Sequence, residues 1–342
     1  LRRTEEGYTW EAGEVNKEVV TLESQVGVPC LILLGEPGMG KSRTMEAWRR
    51  SIDGPIRAQG DITLAFDLRS YSSPEWLVRS VFENPDFVKW RNEKNVLHLF
   101  LDSLDEGLLR IETLSSLLAE EFLKCDANRL MVRIACRSAD WQSPLGTVLE
   151  HHWGREAVKQ LEIVPLTHRD IETAAKMEGI DASAFMKEVF ERGIGPLAAK
   201  PVTLRHLLRI FVQRGEFPAS QWKLYEEGCQ LLCDEPRQTF ARTRLKEEFV
   251  SERRMMVAGR IAALTMFGNR ATILIDHPRE SQRPEDFISQ DLRGGYESVD
   301  DVRFEIGDFE IRETLNTGLF SLRGAERLGW SHQTYTEFLA VW

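Results

Sequence analysis

Apolar positions in the first half of the chain come in short unbroken runs. Residues 28–34 carry the first, with LILL at 31–34. Residues 61–68 (DITLAFDL), 96–101 (VLHLFL), 129–137 (RLMVRIACR) and 158–164 (VKQLEIV) follow. Runs of this length and composition predict strands of a parallel sheet buried on both faces. The segments between them carry helical spacing. Met45, Ala47 and Trp48 follow the first strand. Ser73-Pro74-Glu75 opens a helix whose buried stripe is Trp76, Leu77, Val81 and Phe82, and residues 108–124 place Leu109, Leu114, Leu117, Leu118 and Phe122 in register. Alternating strands and helices predict a doubly wound α/β fold with its ligand at the C-terminal edge of the strands.

After Pro165 the pattern turns helical. Residues 170–177, 182–192 and 202–213 have helical periodicity, punctuated by Gly193, Gly195, Pro196 and Pro201, and residues 251–267 form a strong amphipathic helix. The tail is mixed: TILI at 272–275 reads as a strand, 309–315 as helix, 319–322 as strand, and Trp330 onward as helix. That mixture predicts a winged-helix-like domain. Near the start, residues 14–26 (EVNKEVVTLESQV) read as an amphipathic helix. The expected division is a lead-in over 1–28, a phosphate-loop domain over 29–165, a helical domain over 166–245 and a winged-helix domain over 246–342.

The chemistry begins where the first strand ends. Gly35, Glu36, Pro37, Gly38, Met39, Gly40, Lys41 and Ser42 spell G-x-x-x-x-G-K-S between a strand and a helix, the context a phosphate-binding loop requires. Gly35, Gly38 and Gly40 would let backbone N–H groups reach phosphate oxygens. The helix starting near Lys41 adds its positive dipole end. Lys41 would meet the β- and γ-phosphates, and the Ser42 hydroxyl would bind Mg²⁺. Asp102 ends the apolar run at 96–101, where such folds hold Mg²⁺, and Asp105 or Glu106 would position the attacking water. Arg137 ends the next strand, placed to sense a γ-phosphate. His98 is expected to be a packed core histidine, and His151-His152 a solvated turn.

The 342 residues are 42% hydrophobic and 29% charged, ordinary for a globular chain with two or three cores. The net charge of −10 argues against general nucleic-acid binding. Five cysteines at scattered spacing, Cys30, Cys125, Cys136, Cys229 and Cys233, suggest reduced thiols and a cytoplasmic setting. Cys229 and Cys233 could share a helix face. No apolar run reaches membrane-spanning length and no signal peptide is present. The chain opens on Leu1 and ends at Trp342 inside a helix-like run, which reads as a piece of a longer protein.

Four stretches together, GEPGMGKS, LHLFLDSLDE, IACR and WSHQTYTEFLA, resemble the NACHT branch of the STAND NTPases. In the second, Ser103 is the small residue after the metal-binding Asp, with Asp105 and Glu106 as the acids three positions on. The resemblance covers nearly the whole chain. It implies ATP and ADP with Mg²⁺ as ligands, with residues from Gly35 to Ser42 and Arg43 around the nucleotide. It also implies that His332 reads the β-phosphate and that Pro201 packs near the adenine, with Pro196 as competitor. It further implies slow hydrolysis, a homo-oligomer on activation and a fused effector. A C-terminal sensor outside this chain would catch a protein trigger, in the preferred setting a phage protein in antiviral defence. Alternatives are a eukaryotic-type immune receptor, an AAA-type motor and a non-hydrolysing scaffold.

Overall fold

The computed structural model describes residues 2–3, 19–108, 110–141, 143–234, 251–268, 270, 272–275, 286–299, 301–323 and 327–342. The chain divides into two compact units: Leu1–Gly35 with Gly40–Val164, and Glu36–Met39 with Pro165–Trp342.

The first unit is a six-stranded sheet. After β1 (Arg2–Arg3), five parallel strands follow in sequence: β2 (Cys30–Leu34), β3 (Ile62–Asp67), β4 (Leu97–Asp102), β5 (Leu130–Cys136) and β6 (Val158–Glu162). Their spatial order is β1-β6-β2-β5-β4-β3, with β1 antiparallel to β6. All five residues of β2 are buried. The strand's two-residue period divides them between the faces. Leu31 and Leu33 pack with Met45, Trp48, Ile52 and Ile56 of α1 (Lys41–Ala58). Cys30, Ile32 and Leu34 face the opposite core. That core includes α2 (Pro74–Val81), α3 (Pro85–Asn92), α5 (Leu114–Leu123) and α6 (Ser143–Trp153).

Local chemistry sets several element ends. Ser73 caps α2, its hydroxyl accepting from the Trp76 N–H at 3.3 Å, and Pro74 takes the first turn. Trp76 does not join the buried stripe. It is 48% exposed, its ring edge-on to Tyr71 at 5.3 Å, while Leu77, Val81 and Phe82 are buried. Of the helix expected over 108–124, α5 is the helical part; the short α4 (Leu104–Leu108) precedes it, and Leu109 lies outside the described residues. His151 and His152 lie in α6 instead of a turn, the His152 ring 4.6 Å from Trp153. Residues 4–18 lie outside the described residues, and of the expected 14–26 helix the described part carries one 3₁₀ turn, Glu23–Gln25.

His98 is a core residue of β4, 5% exposed, with its Nδ1 lacking a hydrogen-bond partner. Burial, reinforced by the Arg133 charge and opposed by Asp61, pulls its pKa from 6.5 to about 4. Between those values the unfolded chain binds a proton that the folded one refuses, so this contribution to stability is present above pH 6.5 and is lost as pH falls towards 4. Chemical denaturation at pH 7.5 and 4.5 should therefore show a smaller stability difference in His98→Leu than in wild type. An unchanged difference would remove His98 from the acid limb.

The second unit is mainly helical at first. It runs through α7 (His168–Met177), α8 (Ala182–Glu191), α9 (Gly195–Ala198), α10 (Pro201–Arg214), α11 (Gln221–Cys233) and α12 (Ser251–Phe267). Thr167 and Asp170 form a reciprocal capping box at α7. Cys229 and Cys233 share the buried face of α11, and all five cysteines are free and buried. Four strands follow: β7 (Thr272–Leu274), β8 (Asp286–Ile288), β9 (Tyr296–Val299) and β10 (Val302–Glu305). Then come α13 (Asp308–Leu315), β11 (Phe320–Leu322), β12 (Arg327–Trp330) and α14 (Gln333–Val341). The sheet order is β11-β12-β7-β8, with β9 and β10 a separate antiparallel pair. Trp330 is not the start of the last helix. It ends β12, opposite Phe320 in the ladder, with ring centroids 4.4 Å apart. Among the described residues no helix is long and apolar enough to cross a membrane.

Candidate nucleotide site

The strand register brings the expected first-unit residues to one edge. Leu34 lies beside Cys136, and Asp67 beside Asp102, so Gly35, Arg137 and the two aspartates all fall at the C-terminal ends of neighbouring parallel strands. Gly40 caps α1 with φ 85° and Gly38 has φ 76°, conformations that cost any other residue strain. Gly35 needs no such freedom: it is not a positive-φ residue, and a Cβ there would make ordinary contact with Lys41 and Ile163 at 3.5 Å. The Lys41 ammonium donates to the Gly35 carbonyl at 2.6 Å.

Lys41, Ser42, Asp102, Asp105 and Arg137 form one cluster. Burial pushes the Lys41 pKa down, while the Asp105 and Asp102 carboxylates push it up and Arg137 opposes them. Burial raises the Asp102 carboxyl, and the Ser42 hydroxyl and the Ser103 N–H, both donating to it, restrain the rise. The Ser103 N–H bond is 2.9 Å. Ser103 holds φ 59°, a left-handed conformation costing a non-glycine residue on the order of 1 kcal/mol. It turns the chain sharply between Asp102 and α4.

Asp105 is 6% exposed and serves Arg137 twice. Its Oδ1 accepts the Arg137 backbone N–H at 3.1 Å, and its Oδ2 lies 2.7 Å from the Arg137 Nε. Glu106 is half-buried on the same short helix, and Arg43 is exposed on α1. Asp67 and Arg69 escaped the sequence reading. Asp67 stands beside Asp102 in register and holds the Arg69 Nε at 2.5 Å. The available signal was FDLR, an acid ending a strand as Asp102 does.

The remaining expected residues lie in the second unit. Pro201 opens α10 and Pro196 lies in α9, its carbonyl accepting from the Tyr335 hydroxyl at 2.8 Å. His332 caps α14. Its Nδ1 accepts the Thr334 N–H at 3.2 Å, which leaves Nε2 to carry the proton of the neutral ring. Burial lowers the His332 pKa, Glu337 opposes this and Lys200 adds to it. Glu36, Pro37, Gly38 and Met39 belong to this unit as well. Lys200 also went unread. It is 5% exposed, and its ammonium meets the Glu36 carboxylate at 3.0 Å.

No family model matches the chain, and no curated protein does. Solved structures do. The ORC2 protein of Aeropyrum pernix, in ADPNP–ADP complexes, matches at 12% identity and TM-score 0.40 over 93% of this chain and 89% of its own. The Walker-type ATPase paby2304 of Pyrococcus abyssi matches at 12% identity and TM-score 0.47 over 93% of both chains. The replication initiator DnaA, bound to AMPPCP and single-stranded DNA, matches at 11% identity and TM-score 0.38 over 68% of this chain and 73% of its own. Five parallel strands flanked by helices, with a G-x-x-x-x-G-K-S loop joining the buried strand β2 to α1, give the first unit the P-loop NTPase fold.

Proposed function

We propose that this chain is an ATP-binding and ATP-hydrolysing switch of the NACHT type, in which nucleotide state controls assembly of copies and activation of a fused effector. The observation that carries the nucleotide part is Asp102 at the end of β4, with the Ser42 hydroxyl holding down its carboxyl pKa and its charge acting on Lys41 at the head of α1. A hydroxyl and a carboxylate meeting at one point are the oxygen donors Mg²⁺ takes in such sites, the rest of its shell coming from phosphate and water. The ion would neutralise phosphate charge. Lys41 would hold the β- and γ-phosphates and Arg137 would answer the γ-phosphate. Because both Asp105 oxygens serve Arg137, Glu106 is the better candidate to orient water. Pro201 or Pro196 would flank the base, and the Nε2 proton of His332 would meet a β-phosphate.

The finer reading rests on the resemblance of the four motifs. It includes a resting ADP form, a protein trigger caught by a sensor outside this chain, and a role in antiviral defence in the cytoplasm, with no membrane or nucleic acid contacted by this region. Denaturing the purified protein and identifying the released nucleotide by chromatography tests it. ADP from wild type, and none from Lys41→Ala, is the expected result. No retained nucleotide together with rapid turnover would instead favour the AAA-type motor and remove the role given to His332.

A further inference from the structure

Lys200 is a buried charge, 5% exposed, that the proposed chemistry does not use. An ammonium taken out of water needs all three of its N–H groups met. Here they have three acceptors: the Glu36 carboxylate at 3.0 Å, the Ser331 hydroxyl at 3.1 Å and the Gly318 carbonyl. The Tyr335 ring, fully buried, lies 5.9 Å from the same nitrogen. Glu36 is itself mostly covered, its side chain 13% exposed. The next two residues are held by neighbours of the same cluster. A Cβ on Gly318 would come 3.1 Å from the Pro37 carbonyl, and one on Gly38 would come 2.7 Å from Val202, two residues after Lys200. Three successive residues of the Gly-rich loop thus lie beside Lys200, Gly318 and Val202 in turn. Ser331, another partner of Lys200, immediately precedes His332.

We propose that Lys200 is a positioning residue for the phosphate loop, clamping Glu36 to the Gly318 carbonyl and Ser331 so that the loop keeps its cradle shape and releases nucleotide slowly. The proposal rests on the nucleotide-binding reading above. It assigns control of release to a cation that touches no phosphate. Displacement of Gly318 or Ser331 would break the clamp without altering any residue that touches nucleotide.

Stopped-flow dissociation of a fluorescent ADP analogue from the purified chain tests the clamp. Losing a charge-assisted bond of this kind should speed release about tenfold in Lys200→Met. Glu36→Gln should act in the same direction, and Lys200→Met should add little once Glu36→Gln is present. Lys200→Arg should recover part of the wild-type rate. Glu36→Gln, which keeps the side chain's size and leaves Lys200 in place, carries the test if Lys200→Met does not fold. Unchanged release in the folded variants, or equal losses in unfolding midpoint with and without ADP, would overturn the clamp and leave a merely structural lysine. A wild type that binds no analogue, indistinguishable from Lys41→Ala, would overturn the nucleotide reading and the clamp with it.

Discussion

Asp102→Asn is expected to lower ATP turnover by about 10²–10³-fold while the protein still takes up nucleotide. The substitution keeps the shape at the end of β4. An amide oxygen can still accept from the Ser103 N–H at 2.9 Å and from the Ser42 hydroxyl. What disappears is the negative charge that would hold Mg²⁺ against the phosphates. In wild type, burial already makes that charge costly, and Ser42 and Ser103 stabilise it. Keeping a costly charge at the edge of the sheet makes sense if a cation joins it. Phosphate release beside calorimetric nucleotide binding measures both quantities. Turnover near the wild-type rate would take Asp102 out of the metal-binding role.

The second large effect concerns stability. Arg133 lies in the middle of β5 and is fully buried. Its guanidinium donates to the carbonyls of Val26 at 2.8 Å, Val132 at 3.0 Å and Pro29 at 3.1 Å, and lies 5.1 Å over the Trp48 ring. Burial pulls its pKa down to about 10, with Cys30 opposing, so it is charged at neutral pH. The chain before β2 is thereby tied to the centre of the sheet. Arg133→Ala would strand two carbonyls from that segment and open a cavity against Trp48, costing about 3–5 kcal/mol. For a unit of this size that lowers the unfolding midpoint by roughly 10 °C. Arg133→Met keeps most of the volume and should lose less. A midpoint within a degree of wild type for Arg133→Ala would mean that the guanidinium tie contributes nothing net.

Arg133 also shows where reading by pattern stops. In RLMVRIACR the apolar run identifies a strand whatever the arginine does, and the strand is there as β5. That the arginine turns inward follows from carbonyls 104 and 107 residues away in the chain. Trp76 shows the converse. Its helical spacing matches the buried stripe, yet it stays half-exposed beside Tyr71. Trp330 failed as a helix start because its cross-strand partner is Phe320, and ladder pairing outranks local helical pattern.

The sequence by itself determined what depends on near neighbours in the chain. Apolar runs marked the parallel strands, and the Ser73-Pro74 start marked a helix. Gly38 and Gly40 marked the left-handed turns, and the spacing from Gly40 to Ser42 marked the head of α1. Period and backbone sterics act over a few residues, so a linear pattern records them. Only the tertiary structure decided which charges meet. It placed Asp105 on Arg137 across 32 residues and Lys200 on Glu36 across 164. Ion pairs form between whatever the fold brings within a few ångströms, and no spacing along the chain encodes that distance.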